Sequence, residues 1–290
     1  MAGGAEVVRF PSTLKQALSE AIEELTANQV GSPRMNAETL LMFTLGCDRA
    51  YLYAHPERKL TPAELERYQA AIRERASGKP AQYITGHQEF WGLDLVVSPA
   101  VLIPRPETEH LVETALALAR AWPRPRIVDV GTGSGCITLA LARELPQAEI
   151  CGVDISAEAL EIARANAARL QLDQRVSFRQ GDLLSGFPRG EGFDLVVSNP
   201  PYVSEAEPEK TQREVRDFEP KVAVFAGPDG LSVYQRLIPQ AREVLRDGGW
   251  VVMEIGFSME SPVRALLAGW GEVRVTQDLQ GIPRVVAARK

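Results

Sequence analysis

The tightest constraint on this chain is the run Asp129-Val130-Gly131-Thr132-Gly133-Ser134-Gly135. It sits between a short apolar segment, residues 127–130, and a helical pattern that continues through Leu145. Glycines at such a junction let the chain turn sharply from strand to helix and let a ligand approach bare backbone. A plain strand–helix turn has the same composition, so the residues downstream must decide between the two. Asp154 lies 19 residues after Gly135, at the end of the next apolar segment, Ile150-Cys151-Gly152-Val153. A carboxylate there can accept both hydrogen bonds of a ribose diol. The spacing is GxGxG, not the GxGxxG of dinucleotide sites. The run also opens on an acid, Asp129, which repels a pyrophosphate but suits a cofactor carrying an ammonium or sulfonium group. Together these features favour S-adenosylmethionine over a nicotinamide dinucleotide. Asp182, after the third strand, is a candidate for the adenine end or else a solvated turn acid, and Leu183 beside it can wall the ring.

Apolar strands and amphipathic helices alternate around this turn. Residues 176–178, 194–197, 250–255, 273–276 and 285–288 read as strands, and residues 107–121, 156–170 and 231–245 as helices. The pattern predicts an α/β, Rossmann-like sheet of seven strands, parallel at its centre and covered on both faces. Residues 12–80 read as helices only. Leu14, Leu18, Ala21, Ile22 and Leu25 recur at spacings of three and four, behind Ser12 or Thr13 as a cap. Ser32-Pro33 reads as a cap followed by proline at the first helical position, with Gly46 as the stop, and Thr61-Pro62-Ala63-Glu64 reads as a capping box. Phe90 to Val97, aromatic and β-branched around Gly92, reads as a β-hairpin. The expected organisation is a helical bundle for partner recognition over 1–86, a hairpin linker over 87–104 and a cofactor-binding domain over 105–290.

A second motif, Ser198-Asn199-Pro200-Pro201-Tyr202, comes after the fourth strand, at the sheet edge where ligands bind in such folds. Two prolines stiffen the backbone and remove two donors. The Asn199 side-chain oxygen and the Pro200 carbonyl can then each accept one hydrogen of a planar NH2 group, with Pro201 shaping the turn and Tyr202 stacking on the flat face. The chemistry is in-line displacement at a methyl carbon, driven by alignment and exclusion of water. Asn199 and Tyr202 are the candidate catalytic residues, and no dedicated base is evident. A proline-stiffened loop with a core tyrosine is the structural alternative.

Composition narrows the partners. The 290 residues carry a net charge of −6 with no basic run, so direct nucleic-acid binding is not expected. Three cysteines without a CxxC pair point to a reduced, cytoplasmic setting, and three scattered histidines give no metal-ligand spacing. No apolar run reaches the roughly 20 residues of a membrane helix, and the first twelve residues lack the pattern of a secretory signal.

Asp129 to Gly135, Asp154 and Asn199 to Tyr202 resemble the class I S-adenosylmethionine-dependent methyltransferases that act on planar nitrogen. More specific are Phe90-Trp91-Gly92-Leu93, Leu102-Ile103-Pro104-Arg105-Pro106-Glu107-Thr108-Glu109, Phe218-Glu219-Pro220 and Gly227-Pro228-Asp229-Gly230-Leu231. With these the chain resembles, over nearly its whole length, the bacterial peptide chain release factor glutamine methyltransferases, also called the HemK family. The resemblance implies that S-adenosylmethionine is converted to S-adenosylhomocysteine. The implied acceptor is the glutamine side chain of the Gly-Gly-Gln motif in class 1 release factors. It also implies Gly131, Thr132, Gly133, Ser134, Gly135 and Asp154 as the cofactor's contacts. It further implies that Asn199 touches both cofactor and substrate, that Asn199 to Tyr202 hold the glutamine amide, and that the helical bundle contacts the release factor. A monomer is expected. Leu183 departs from relatives with an aromatic residue there, which an aliphatic wall can replace.

Arg105, Glu107 and Glu109 read equally as a segment beside the cofactor or as a surface ion network, and Glu254 is similarly open. The stretch 204–221, with six acids and four bases, reads as a mobile loop at the substrate entrance or a solvated linker. Three rival functions fit parts of the pattern. One is a glutamine methyltransferase of a ribosomal protein, and another is a nucleic-acid adenine methyltransferase stacking a flipped base on Tyr202. The third is a non-catalytic binder that retains the cofactor fold.

Overall fold

The computed structural model describes residues 12–206 and 212–290. The N-terminal stretch read as lacking a secretory signal, and residues 207–211 of the charged stretch, lie outside the described residues. The chain divides into two compact units, Met1–Gly86 and His87–Lys290.

The first unit holds α1 (Leu14–Ala27), α2 (Pro33–Leu45), α3 (Arg49–Ala54), α4 (Pro62–Ala76) and α5 (Ala81–Thr85). Thr13 with Gln16, and Thr61 with Glu64, form capping boxes, so the free N–H groups of α1 and α4 are met from the sequence itself. Ser32 departs from its expected role. Its backbone is left-handed, at φ +48°, and its side chain makes no capping bond. Asn36 ties the turn instead, its Nδ2 donating to the Gly31 and Ser32 carbonyls at 2.8 and 3.2 Å. Leu14, Leu25, Leu40, Leu41, Tyr68 and Ile72 fill the core. The Tyr68 hydroxyl donates to the Ala37 carbonyl, which satisfies the ring's one polar atom in a dry interior. Met35, Phe43, Tyr51 and Tyr53 are exposed on α2 and α3.

The second unit begins with a hairpin, β1 (His87–Phe90) and β2 (Leu93–Val96). It continues through α6 (Glu109–Ala119), β3 (Arg126–Val130), α7 (Cys136–Glu144), β4 (Glu149–Asp154), α8 (Ala157–Arg169), β5 (Val176–Gln180) and β6 (Phe193–Ser198). After α9 (Arg213–Phe218) and α10 (Lys221–Val224) come α11 (Ser232–Val244), β7 (Leu245–Glu254), α12 (Glu260–Leu266), β8 (Val273–Gln277) and β9 (Pro283–Arg289). The seven-stranded sheet has the order β5-β4-β3-β6-β7-β9-β8. β5 through β7 run parallel, and β9 pairs antiparallel with both β7 and β8.

Alternate residues of the central strands feed opposite cores. Ile127, Leu195, Val197, Trp250 and Val252 pack with α6, α7 and the hairpin. Val128, Val130, Val196, Val251 and Met253 pack with α11 and α12. Burial on both faces is why these strands read as unbroken apolar runs and not as alternation.

The hairpin turns at Trp91 and Gly92, both at positive φ, and is fastened to α8 of the same unit by Asn166. The Asn166 side chain accepts from the Val96 N–H at 2.7 Å and donates to the Val96 and Ser134 carbonyls at 3.0 and 2.9 Å. One buried amide on α8 thus holds both β2 and the glycine turn. Within the charged stretch, residues 213–218 form the helix α9 where a loop is expected, and α10 follows at 221–224. Val203 bridges in parallel to Phe225, which brings the end of α10 beside the Asn-Pro-Pro-Tyr turn.

Candidate active site

Three of the glycines divide the work of the first turn. Gly131 and Gly133 have φ of +74° and +55°, and a Cβ on either would meet almost nothing, only the Gly131 carbonyl oxygen at 4.0 Å from Gly133. Both front an open cavity. Gly135, by contrast, packs on α8, where a Cβ would press on Ala163 at 3.3 Å. The turn itself is hung from β4, since the Gly131 and Thr132 N–H groups both donate to the Val153 carbonyl, at 2.8 and 3.0 Å.

Asp129 does a different job from the expected one. It is fully buried beneath the turn and does not line the cavity. Its Oδ2 accepts from the hydroxyls of Thr132 at 2.7 Å and Thr138 at 2.8 Å. Burial pushes its carboxyl up to about 6, against the two hydroxyls that favour the ionised form. Asp129 therefore shapes the turn from below and does not face a cofactor cation.

The cavity before the turn opens to solvent and, with its mouth, spans about 1100 Å³. Its lining includes Gly131, Thr132, Gly133, Ser134, Asp154, Asp182, Leu183 and Asn199, together with Arg105 and Arg236. Asp154 has one carboxylate oxygen on the Gly133 N–H and the other on the Ser156 N–H, each at 2.9 Å. Each oxygen keeps a lone pair for a further donor, and burial raises the carboxyl above its ordinary value. Asp182 pairs with Arg236 across the cavity's far end, and Leu183 adopts φ +52° beside it. Bare backbone at two glycines, an acid at the end of β4 and an aliphatic wall fit S-adenosylmethionine in outline: room for the methionine part, acceptors for a ribose diol and a flat apolar surface for adenine. Among the described residues no cluster of His, Cys, Asp or Glu has the geometry to hold a metal.

A second cavity lies beyond Asn199, with Pro200, Tyr202, Ser204, Glu107, Glu254 and Arg284 in its lining. The two cavities share Leu102, Arg105, Asn199, Pro201 and Ala223 as a common wall. Asn199 is at their junction. Its Nδ2 donates to the Thr108 hydroxyl at 3.0 Å, and the Thr108 hydroxyl donates to Glu254 Oε2 at 2.6 Å. Its Oδ1 has no hydrogen-bond partner among the described residues. Tyr202 reaches the other oxygen of Glu254 at 3.5 Å. Burial pushes the Glu254 carboxyl up to about 7, opposed by the Thr108 hydroxyl and by Arg284. The same burial drives the Tyr202 hydroxyl above its ordinary value.

The open cases in the sequence thereby separate. Glu109 is structural, accepting from the Trp91 N–H at 2.9 Å and holding the hairpin turn. Arg105 belongs to both cavities and is held by the buried carboxylate of Glu219. Glu107 sits 4.0 Å from Arg284 at the second cavity. Thr108 escapes sequence reasoning. Its only sequence signal is its place within the Leu102 to Glu109 motif.

The chain matches two family models, the "PrmC N-terminal domain" over residues 16–86 and a "Methyltransferase domain" over residues 124–261. It is 56% identical over 278 residues to the release factor glutamine methyltransferase of Koribacter versatilis, covering 96% of this chain and 99% of that one. The enzyme of the same name from Xylella fastidiosa is 45% identical, covering 91% and 96%. The solved hMettl16 catalytic domain, in complex with a MAT2A 3′UTR hairpin, shares the fold with a TM-score of 0.56 at 18% identity, covering 78% of this chain and 81% of that one.

Proposed function

The chain belongs to the release factor glutamine methyltransferase family, and from that premise we propose that it methylates the side-chain amide nitrogen of the glutamine in the Gly-Gly-Gln motif of class 1 release factors. The observation that carries this reading is the place of Asn199: at the wall common to both cavities, its Nδ2 engaged by Thr108 and its Oδ1 without a partner among the described residues.

S-adenosylmethionine bound in the first cavity would supply an electrophilic methyl and depart as the neutral thioether S-adenosylhomocysteine. The protein's own part is binding and aim. Gly131 to Ser134 offer backbone to the methionine end, Asp154 accepts from the ribose, and Asp182 and Leu183 flank the adenine, while Gly135 holds the turn against α8. In the second cavity the Asn199 Oδ1 and the Pro200 carbonyl each accept one hydrogen of the glutamine NH2, and Pro201 and Tyr202 confine its plane. Both acceptors draw on the N–H bonds, so electron density at nitrogen rises as the new N–C bond forms and the C–S bond breaks, and the methylated nitrogen then gives up one proton to bulk solvent. Positioning of this kind supplies most of what a displacement at methyl requires. No side chain is needed as a strong base; Glu254, in the lining of the same cavity, is engaged by the hydroxyls of Thr108 and Tyr202.

The helical unit is read as the contact to the release factor body, with Met35, Phe43, Tyr51 and Tyr53 on α2 and α3 as its apolar anchors. The acidic balance favours a protein over a nucleic-acid acceptor. No helix among the described residues is long and apolar enough to cross a membrane, in keeping with a cytoplasmic enzyme of translation.

The test is transfer of labelled methyl from S-adenosylmethionine to a purified release factor, to its Gly-Gly-Gln glutamine-to-alanine variant, and to duplex and single-stranded DNA. Label on the wild-type factor alone is expected. Label on DNA, or on both factor variants equally, refutes the assignment. Asn199→Ala should lower turnover on the order of 100-fold, as loss of one preorganised polar contact to a reacting group does, while the fold and much of the cofactor affinity persist.

A further inference from the structure

We propose that Glu254, acting through the Thr108 hydroxyl, is the positioning residue that decides which end of the Asn199 amide faces the substrate cavity. The proposal rests on the clamp described above, in which the acceptor nitrogen donates to Asn199 Oδ1.

The two ends of an asparagine amide have nearly the same shape and opposite hydrogen-bonding character. A pocket that needs only the oxygen must therefore select it by hydrogen bonding, because sterics cannot. The side-chain bond that does so here is the one from Nδ2 to Thr108 at 3.0 Å. Thr108 is buried and its hydroxyl owns a single proton. Glu254 Oε2 lies 2.6 Å away, and a carboxylate only accepts. The Thr108 proton is thus committed to Glu254, its oxygen must receive a proton from Asn199, and Asn199 must turn its oxygen to the cavity. The direction of the whole chain is fixed by the charge at its far end.

A protonated Glu254 releases the constraint. The carboxyl can donate to Thr108, Thr108 can donate to Asn199 Oδ1, and Nδ2 then meets the acceptor NH2 donor to donor. The groups around Glu254 set where this happens. Thr108 comes from the start of α6 and Tyr202, at 3.5 Å, from the turn after β6. Tyr234 of α11 donates to the Glu254 backbone carbonyl at 2.7 Å. Arg284 of β9 favours the ionised form and Glu107 opposes it, while the Cys136 thiol at the start of α7 feels the charge from the cofactor side. Ionised Glu254 is the productive state, so turnover gains with rising pH and is lost as pH falls through the group's titration near 7.

The experiment compares wild type with Thr108→Val, Thr108→Ser, Glu254→Gln and Asn199→Ala, using full-length protein, S-adenosylmethionine and a purified release factor. Thr108→Val keeps the volume and removes the hydroxyl. Its kcat is expected to fall about tenfold, the scale of one hydrogen bond, with cofactor affinity by calorimetry unchanged and with Thr108→Ser restoring the rate. The acidic limb of the kcat profile should be present in wild type and absent from Thr108→Val and Glu254→Gln. Independently of turnover, the Asn199 side-chain NH2 signals in 15N spectra, identified by their loss in Asn199→Ala, should shift in step with the Glu254 carboxyl carbon in wild type and not in Thr108→Val. A Thr108→Val enzyme with the wild-type rate and pH profile overturns the relay, as does an acidic limb that survives in Glu254→Gln. Loss of activity in Asn199→Ala beside a fully active Thr108→Val sinks the relay alone. Normal turnover by Asn199→Ala sinks the clamp and the relay with it.

Discussion

Gly230 stands in the run Gly227-Pro228-Asp229-Gly230-Leu231, 28 residues after Tyr202 in sequence and against it in space. Its φ is +74°, and a Cβ built there would lie 2.4 Å from the Tyr202 carbonyl oxygen and 3.2 Å from the carbonyl carbon. Gly230→Ala therefore adds two costs. A side chain in the left-handed region costs about 1 kcal/mol. A methyl forced into backbone, which cannot swing aside as a side chain can, costs about 1–3 kcal/mol more. The sum, about 2–4 kcal/mol, lowers the melting temperature of a unit of about 200 residues by roughly 5–15 °C. Gly281 supplies the control. It has φ +78° and no atom within 4 Å of its built Cβ, so Gly281→Ala carries the backbone cost without the collision. Thermal melts of both variants, followed by methyl transfer to a release factor, measure the difference. Relief of the collision must shift either the Gly230 turn or the Tyr202 backbone; if Tyr202 gives way, Gly230→Ala should lose at least about tenfold in turnover, the effect of roughly 1.4 kcal/mol. Gly281→Ala should not. Equal melting of the two variants would refute the close approach. A destabilised Gly230→Ala with full turnover would refute its link to the clamp.

Asp154→Ala should weaken S-adenosylmethionine binding about tenfold or more by calorimetry, with little effect on melting. In the wild type the same affinity should decline toward acid pH, because burial raises the Asp154 carboxyl and a protonated acid loses acceptor capacity. Asn166→Ala strands the Val96 N–H and the Val96 and Ser134 carbonyls. It should cost about 2–4 kcal/mol in urea unfolding and loosen the cofactor turn as well. Asp129 is held up at about 6 against an ordinary value near 3.9, so its ionisation costs folding stability as pH rises through that window. Asp129→Asn should accordingly gain in melting temperature relative to wild type between pH 4 and 6, and the gain should level off above; a gain that shrinks over this range contradicts the burial argument.

Features set by local chemistry were legible in the sequence. The capping boxes at Thr13 and Thr61, the strand–glycine–helix turn and the hairpin around Gly92 each arise from residues close together in the chain. Ser32 is misread because its left-handed backbone, not its hydroxyl, makes the turn. Asp129 reads correctly as part of the turn and wrongly as its ligand face, since the two threonines that claim it become neighbours only when the turn closes. The Thr108–Glu254 chain is invisible in the sequence for a different reason. It joins residues from three distant segments. β6 and β7 lie side by side with Ser198 opposite Met253, so the next residue on each, Asn199 and Glu254, emerge at the same edge. Strand order, which spacing in a linear sequence does not encode, is what brings them together.

The shared wall of the two cavities has a kinetic meaning. With cofactor and acceptor assigned to the two cavities as proposed, whose common lining among the described residues is Leu102, Arg105, Asn199, Pro201 and Ala223, neither would have to vacate its place for the other to enter. Such a layout calls for a ternary complex and intersecting initial-rate plots, and it lets the spent thioether and the methylated protein depart in either order.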